Sequence, residues 1–261
     1  MSVFDFDRAL VRTPGHSVVG GLRAEDRGNP TYQGVLAEHA AYVAALKAAG
    51  VAVEVLAPLE EFPDSVFVED PALVFPEAAI LLRPGADSRR GEAQALKADL
   101  QLRFAQVIEL PGEGFADGGD ILVTPGEVLI GLSARTDRTG AEALAGVLES
   151  LGRAARVVET PPGVLHFKTA CSLLDEETML VAQPLAGKGV FPALGELVTP
   201  EGEEAAANAL RVNDRVLVGQ DFPRTAGILS ARGYDVVPLP TAQIGRIDAG
   251  LSCMSLRWKA A

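Results

Sequence analysis

Apolar and polar positions follow one another in a recurring order along this chain: two short β-rich runs around a turn, a segment of helical period, then another β-branched run. The segment Gln33 to Ala49 is Ala-rich with apolar residues three and four apart, and Gly50 is placed to end a helix there. Val51 to Leu56 reads as a strand. VFVEDPALVF and AAILLRPG, separated by Pro76-Glu77, read as a two-stranded hairpin. Ser88 is placed to cap a helix running to about Phe104, with Glu92 and Lys97 on its polar side, and QVIEL reads as the strand after it. The order returns with DILVTPGEVLIGLS, turning at Pro125-Gly126, a helix ending at Gly152, and ARVVET. It returns twice more. CSLLDEETMLVAQ turns at Asp175 to Glu177 and leads through a helix-poor stretch to GELVTP; ALRVNDRVLVGQ turns at Asn213-Asp214, followed by RTAGILSARG and YDVVPLP.

A lone strand is left at each end, DRALVRTP and SCMSLRW (Ser252 to Trp258). Paired with each other, they complete a fifth unit with the Gln33 helix and the Val51 strand. Five units of about 50 residues around an axis, closed by pairing the chain ends, leave no long exposed strand edge. The expectation is a single α/β domain spanning 1–261, with an ordinary open α/β sheet as the alternative.

Composition narrows the function. A content of 48% hydrophobic residues and a mean hydropathy of +0.20 are ample for a packed core. The net charge of −12 argues against nucleic acid and anionic lipid, which need clustered positive charge, and favours cationic ligands. No apolar stretch reaches the ~20 residues needed to span a bilayer, and MSVFDFDRALVR lacks the basic-then-apolar order of a signal peptide. A cytoplasmic protein without a membrane partner is expected. The two cysteines and three histidines form no CxxC or HExxH pattern, and neither GxGxxG nor GxxxxGK[ST] occurs, so zinc, dinucleotide and P-loop sites lose their usual support.

Four fragments put polar groups where a strand should be apolar: FPDSVFVEDP, FADGGDIL, VLHFKTACSLL and GLSCMSLRW. In the first, Asp64, Glu69 and Asp70 have no basic residue within the segment. They read either as a solvated loop edge or as a cradle for a cation such as a guanidinium, whose planar donors suit carboxylates. Cys253 and His166 each read singly as core residues, and together as a thiol with the base it needs. Asp117 and Asp120 are candidates to hold that His, with Gly118 and Gly119 allowing close backbone approach. Arg89 and Arg135, each after a hairpin and before a helix, are either surface counter-charges or a clamp for a carboxylate. A ligand with a guanidinium at one end and a carboxylate at the other satisfies both sets.

The ordered set LVRTP, FPDSVFVEDP, RPGADSRRGE, GGDIL, IGLSART, VLHFKTACSLL, FPRT and IDAGLSCMSLRW resembles the dimethylarginine dimethylaminohydrolase family. This family lies within the guanidine-modifying superfamily of arginine deiminases and amidinotransferases. The resemblance implies a five-bladed α/β propeller and an arginine derivative as small-molecule substrate. It implies Cys253 as nucleophile, His166 as general acid/base and Asp117 as the carboxylate orienting it. Asp64 and Asp70 match the grip on the guanidinium, with Glu69 near the substrate's α-amino end or a neighbouring residue. Arg89 and Arg135 match the α-carboxylate clamp, Leu22 a mobile lid hinged at Gly20-Gly21, and Phe67 and Ile247 the pocket wall. No metal or organic cofactor is implied, and a homodimer is left open. Arginine or agmatine deiminase activity, and a non-catalytic binder of cationic amino acids, stand as alternatives; a cysteine peptidase lacks its usual Cys-then-His order.

Overall fold

In the computed structural model, which describes residues 3–24 and 26–260, the five units are five separate three-stranded sheets. The first contains β1 (Arg8–Arg12), helix α1 (Tyr32–Ala48) and β2 (Ala52–Leu56). The second is β3 (Ala72–Val74), β4 (Ala79–Leu81), α2 (Glu92–Gln101) and β5 (Val107–Glu109). The third is β6 (Ile121–Val123), β7 (Val128–Leu132), α3 (Arg138–Ser150) and β8 (Ala155–Glu159). The fourth, β9 (Cys171–Leu173), β10 (Thr178–Val181) and β11 (Gly195–Val198), has no α-helix in its crossover, as the helix-poor stretch implied. The fifth is β12 (Leu210–Val212), β13 (Arg215–Gly219), α4 (Pro223–Ala231) and β14 (Asp235–Leu239). The last strand, β15 (Leu256–Trp258), pairs antiparallel with β1, Leu10 opposite Leu256, and so completes the first sheet from the far end of the chain.

Every sheet has the same plan. An antiparallel pair supplies two strands, and the third joins the middle strand in parallel after a crossover. The middle strands are almost wholly buried and apolar, whereas the outer β2, β8, β11 and β14 are half-exposed edges. Pro238 is tolerated in β14 because only one side of that strand is in a ladder. The helices start and stop as the chain chemistry dictates. Thr31 and Asp137 accept the Gly34 and Gly140 amides at the N-termini of α1 and α3, and Gly50 and Gly152 take φ of +87° and +74° just past their ends.

Apolar side chains make one core between each pair of consecutive sheets. Leu10 and Trp258 of the first sheet pack with Leu81 of the second, Ile80 of the second with Ile130 of the third, and Leu129 of the third with Met179 of the fourth. Leu180 of the fourth packs with Val218 of the fifth. Val11 and Tyr42 of the first unit then share a core with Leu217 of the fifth. The order of contacts therefore returns to its start. No helix among the described residues is long and apolar enough to cross a membrane.

Three expected elements differ. The strand expected from Val66 begins at Ala72, and residues 66–71 are turns. The strand expected from Ser252 is a 3-10 turn at Ser252–Met254, followed only later by β15. Ser88 caps nothing: Asp87–Arg89 is a 3-10 turn and α2 starts at Glu92. In each case the backbone leaves the ladder to serve something else. The carbonyls of Asp64 and Phe67 accept from Arg89, and the Glu69 amide donates to the Cys253 carbonyl at 3.2 Å.

The β12–β13 turn also anchors the N-terminal segment. Asn213 sits at φ 53°, where Asn tolerates the left-handed region, and its amide bonds Phe6 N at 2.8 Å, Phe6 O at 3.0 Å and Ala49 O at 2.7 Å. Asn213→Ala is expected to destabilise the fold by about 2–3 kcal/mol, from lost hydrogen bonds and a strained φ, as read by denaturant unfolding.

Candidate active site

The four polar fragments are turns that immediately precede antiparallel edge strands: residues 64–71 before β3, Gly118–Asp120 before β6, Phe167–Thr169 before β9, and Ser252–Met254 before β15. Three of them, all but the Gly118–Asp120 turn, contribute Asp64, Phe67, Asp70, His166 and Cys253 to the border of a cavity of about 30 Å³, which Leu22, Arg89, Arg135 and Ile247 also border. Nine of the eleven residues expected at the site thus share one hollow. Asp117 lies directly behind it, fully buried, with its Oδ2 3.1 Å from His166 Nε2 and its Oδ1 accepting the Gly85 amide at 2.7 Å.

Glu69 is placed otherwise. Its carboxylate does not border this hollow; Oε1 meets Lys168 Nζ at 2.7 Å and Arg257 Nη2 at 3.1 Å, and the residue lines a separate cavity of about 240 Å³. Arg257 also donates to the Ser252 and Ser255 carbonyls at 3.1 and 2.7 Å. Glu69 therefore braces the Cys253 turn from beneath, which corrects the expectation of a contact at the substrate's α-amino end. The acidic segment is not short of cations either: Lys168 and Arg257 reach it from other units and Arg89 from within its own.

The strongest of these is Arg89. It is buried, pairs with Asp70, and donates Nε and Nη2 to the Glu92 carboxylate at 2.9 and 2.6 Å and Nη2 to the carbonyls of Asp64 and Phe67 at 3.2 and 3.0 Å. Glu92, expected on the polar side of its helix, is instead buried, because a buried guanidinium needs carboxylate on both flanks. The fork spacing of SRRGE, with Arg89 and Glu92 three residues apart, was the available signal. Arg135 differs: among the described residues its side chain is in no hydrogen bond or ion pair. Asp64 accepts only the Leu22 amide, at 3.0 Å, and has no ion-pair partner among the described residues. Sequence reasoning also missed Asp248, which borders the hollow, holds φ 54° and accepts the Ala24 amide; nothing in the hydrophobic pattern marks it.

Gly118 and Gly119 permit approaches no other residue allows. A Cβ on Gly118 would stand 2.0 Å from the Glu69 carbonyl oxygen, and one on Gly119 would stand 2.7 Å from His166 Nδ1 and 2.9 Å from Asp70 Oδ1. The imidazole and the Asp70 carboxylate are thus both laid against bare backbone.

The electrostatics follow from this packing. Burial disfavours charge on His166, but the Asp117 hydrogen bond and the charges of Asp70 and Asp120 outweigh it and raise its pKa to about 9. Burial, with Asp70 and Glu69 nearby, pushes the Cys253 thiol up to about 11. Asp70 would also be raised by burial, yet Arg89 and His166 hold it below the usual carboxylate range. Asp64 is raised by burial, against the pull of Arg89. The empty site therefore holds an imidazolium and a neutral thiol. The ligand atoms of Asp70, Asp117 and His166 lie within 4.8 Å of one another, a spacing a metal could use, but Asp70 is engaged by Arg89 and the Gly119 amide and Asp117 by Gly85 and His166. The trio is an ion-paired network.

The comparisons with known proteins agree with one another. Residues 24–182 match the family model described as N,N dimethylarginine dimethylhydrolase, eukaryotic. The N(G),N(G)-dimethylarginine dimethylaminohydrolase of Pseudomonas aeruginosa is 39% identical over 97% of this chain and 100% of its own. The protein of that name from Streptomyces coelicolor is 32% identical over 96% of each chain. Among solved structures, a Cys-to-Ser variant of the Pseudomonas aeruginosa protein complexed with citrulline superposes with a TM-score of 0.94 at 38% identity, over 97% of this chain and 100% of that one. A His-to-Gly dimethylarginine dimethylaminohydrolase, as an adduct with S-methyl-L-thiocitrulline, gives 0.93 at 38%, over 97% and 99%. The N-terminal domain of a cyanobacterial arginine dihydrolase, at 19% identity and 0.87, shares the fold.

Two outcomes test the geometry. Gly119→Ala should lower turnover by at least about tenfold by displacing the imidazole, in steady-state assays of protein whose unfolding midpoint is also recorded. Alkylation of Cys253 by iodoacetamide, followed by peptide mapping, should be slow at neutral pH and rise about tenfold per pH unit toward its pKa near 11, because only the thiolate reacts.

Proposed function

The chain belongs to the dimethylarginine dimethylaminohydrolase family, and from that premise we propose that it hydrolyses Nω-methylated arginines to citrulline and a methylated amine. The observation that carries this reading is the shared hollow, which a thiol, an imidazole, two carboxylates and the unengaged guanidinium of Arg135 all border. A molecule with a planar cation and a carboxylate fits those charges.

The residue roles follow from the chemistry of each group. Asp64 and Asp70 receive the substrate guanidinium, and Arg135 holds its carboxylate, with one Nη1 proton of Arg89 left to assist. Arrival of the cation beside Cys253 opposes the carboxylate field that keeps the thiol neutral, so the thiol gives up its proton to bulk water as substrate binds. The thiolate attacks the guanidinium carbon and forms a C–S bond. His166, held by Asp117 through Nε2, protonates the departing methylated amine as the C–N bond breaks, and a thiouronium remains on Cys253. The imidazole, now neutral, takes a proton from water; the hydroxide adds to the carbon, the C–S bond breaks, and the adduct's hydroxyl proton passes to the departing sulfur, giving citrulline and the free thiol. Holding thiolate and carbon in line supplies several kcal/mol of the barrier.

Leu22 and its segment swing outward to admit substrate, releasing the Leu22 amide from Asp64 and the Ala24 amide from Asp248. We read the ring of shared cores as a five-bladed propeller in one domain, with the site at the inner ends of the blades. The ion pair of Glu69 with Lys168 and Arg257 closes its floor.

Comparing citrulline formed from dimethylarginine, monomethylarginine and arginine separates this activity from a deiminase, which would favour arginine and release ammonia. Cys253→Ser should abolish citrulline formation in a folded protein; retained turnover would remove the covalent step. Arg135→Ala should raise KM for the amino acid by about tenfold or more through loss of a charged hydrogen bond, with little change in the unfolding midpoint.

A further inference from the structure

The second carboxylate of DGGD takes no part in the steps above, yet few side chains are so fully engaged. Asp120 is completely buried. Its Oδ1 accepts the Phe167 amide at 2.8 Å, and its Oδ2 accepts both the Ser133 and Thr136 hydroxyls at 2.6 Å. Those hydroxyls are themselves acceptors. Thr136 Oγ1 receives the Asp117 amide at 3.0 Å, and Ser133 Oγ receives the amides of Arg135 at 2.9 Å and Thr136 at 3.2 Å. One carboxylate thus reaches, directly or through a single hydroxyl, the backbone next to His166, the backbone of Asp117 and the backbone of Arg135.

Of these three segments, two bring His166 and Arg135 to the border of the hollow, and the third places Asp117 against His166 at 3.1 Å. His166 and Asp117 act at the guanidinium carbon, and Arg135 acts at the substrate's carboxylate. Among the described residues no cation forms an ion pair with Asp120, so it does not balance a charge by direct contact. Its acceptors are filled by short, directional bonds that fix distances. A charge-neutral side chain of similar shape cannot accept from two hydroxyls and an amide at once, since an amide group offers one acceptor oxygen.

We propose that Asp120 is a positioning residue that fixes the separation between the acid/base pair and the carboxylate clamp, and thereby selects the length of the amino acid that can react. The inference rests on the hydrolase reading above. In physical terms, a substrate anchored by its carboxylate brings its guanidinium carbon to Cys253 only if the Arg135 loop and the His166 turn keep one spacing.

Steady-state constants for dimethylarginine and for its decarboxylated analogue, in folded variants, test this. Asp120→Asn is expected to lower kcat by about ten- to a hundredfold on both substrates, the usual scale for displaced catalytic geometry, and to raise KM for dimethylarginine more than for the analogue. Ser133→Ala, which loosens only the Arg135 arm, should raise KM for dimethylarginine and reduce the preference over the analogue. Thr136→Val should lower kcat, and Thr136→Ser, which restores the hydroxyl, should recover most of it. If Asp120→Asn does not fold, the Thr136 pair decides, since a role in stability alone would not follow the hydroxyl in kcat. The inference is overturned if Asp120→Asn keeps kcat and the KM ratio within about twofold of the parent, or if Thr136→Ser is as impaired as Thr136→Val. Absence of turnover in the parent protein would instead remove the hydrolase reading on which it stands.

Discussion

A guanidinium withdrawn from water must have its donors met by oxygen, and the rest of the site is arranged around Arg89, for which this holds at every donor but one Nη1 proton. Its fork is filled by Asp70, by Glu92 and by the carbonyls of Asp64 and Phe67. The Phe67 carbonyl is available because residues 66–71 turn instead of entering a ladder. The cation thus shapes the loop that carries Asp64 and Asp70, and the loop's carboxylates in turn make burial of the cation tolerable. A lysine would not do the same work, since it lacks the planar fork that binds one carboxylate through two nitrogens.

The same carboxylates set the readiness of the reacting groups. Asp70 faces both the imidazole and the thiol, and it raises the pKa of each. For His166 that means a charged acid at neutral pH, as a departing amine requires. For Cys253 it means a protonated and unreactive sulfur. A negative field cannot stabilise a thiolate, so the nucleophile is dormant until a cation enters and changes the sign of its surroundings. Attraction for the substrate and restraint on the nucleophile are one electrostatic fact.

Beneath the hollow, a second set of charges closes the structure. Glu69 gathers Lys168, two residues past His166, and Arg257, four residues past Cys253. The turns that bear the two reacting groups are thereby tied to the acidic loop from below, while Asp120 ties the His166 turn to the Arg135 loop at the side. Glycines 118 and 119 let these layers close without intervening side chains.

Most of the architecture was legible along the chain, because each unit repeats the same local signals: a hairpin turn such as Asn213-Asp214, a helix ended by Gly50 or Gly152, and a β-branched outer strand. These depend on neighbours within a few residues. The nine residues that meet in the hollow were legible too, as polar groups interrupting strands that should be apolar, and from the family resemblance their motifs carry. What sequence pattern could not decide was which carboxylate meets which cation. Glu69 and Asp70 are adjacent in sequence, yet one turns to Lys168 and Arg257 in the floor and the other to Arg89 in the wall. Glu92 looks like a helix's solvent face and is buried. By itself, the sequence determined where strands, helices and interruptions fall, since those follow from local backbone preference and periodic burial. Only the tertiary structure decided how Asp70 and Glu69 pair, because the cations they meet lie from 19 to 188 residues away along the chain, separations to which local periodicity is blind.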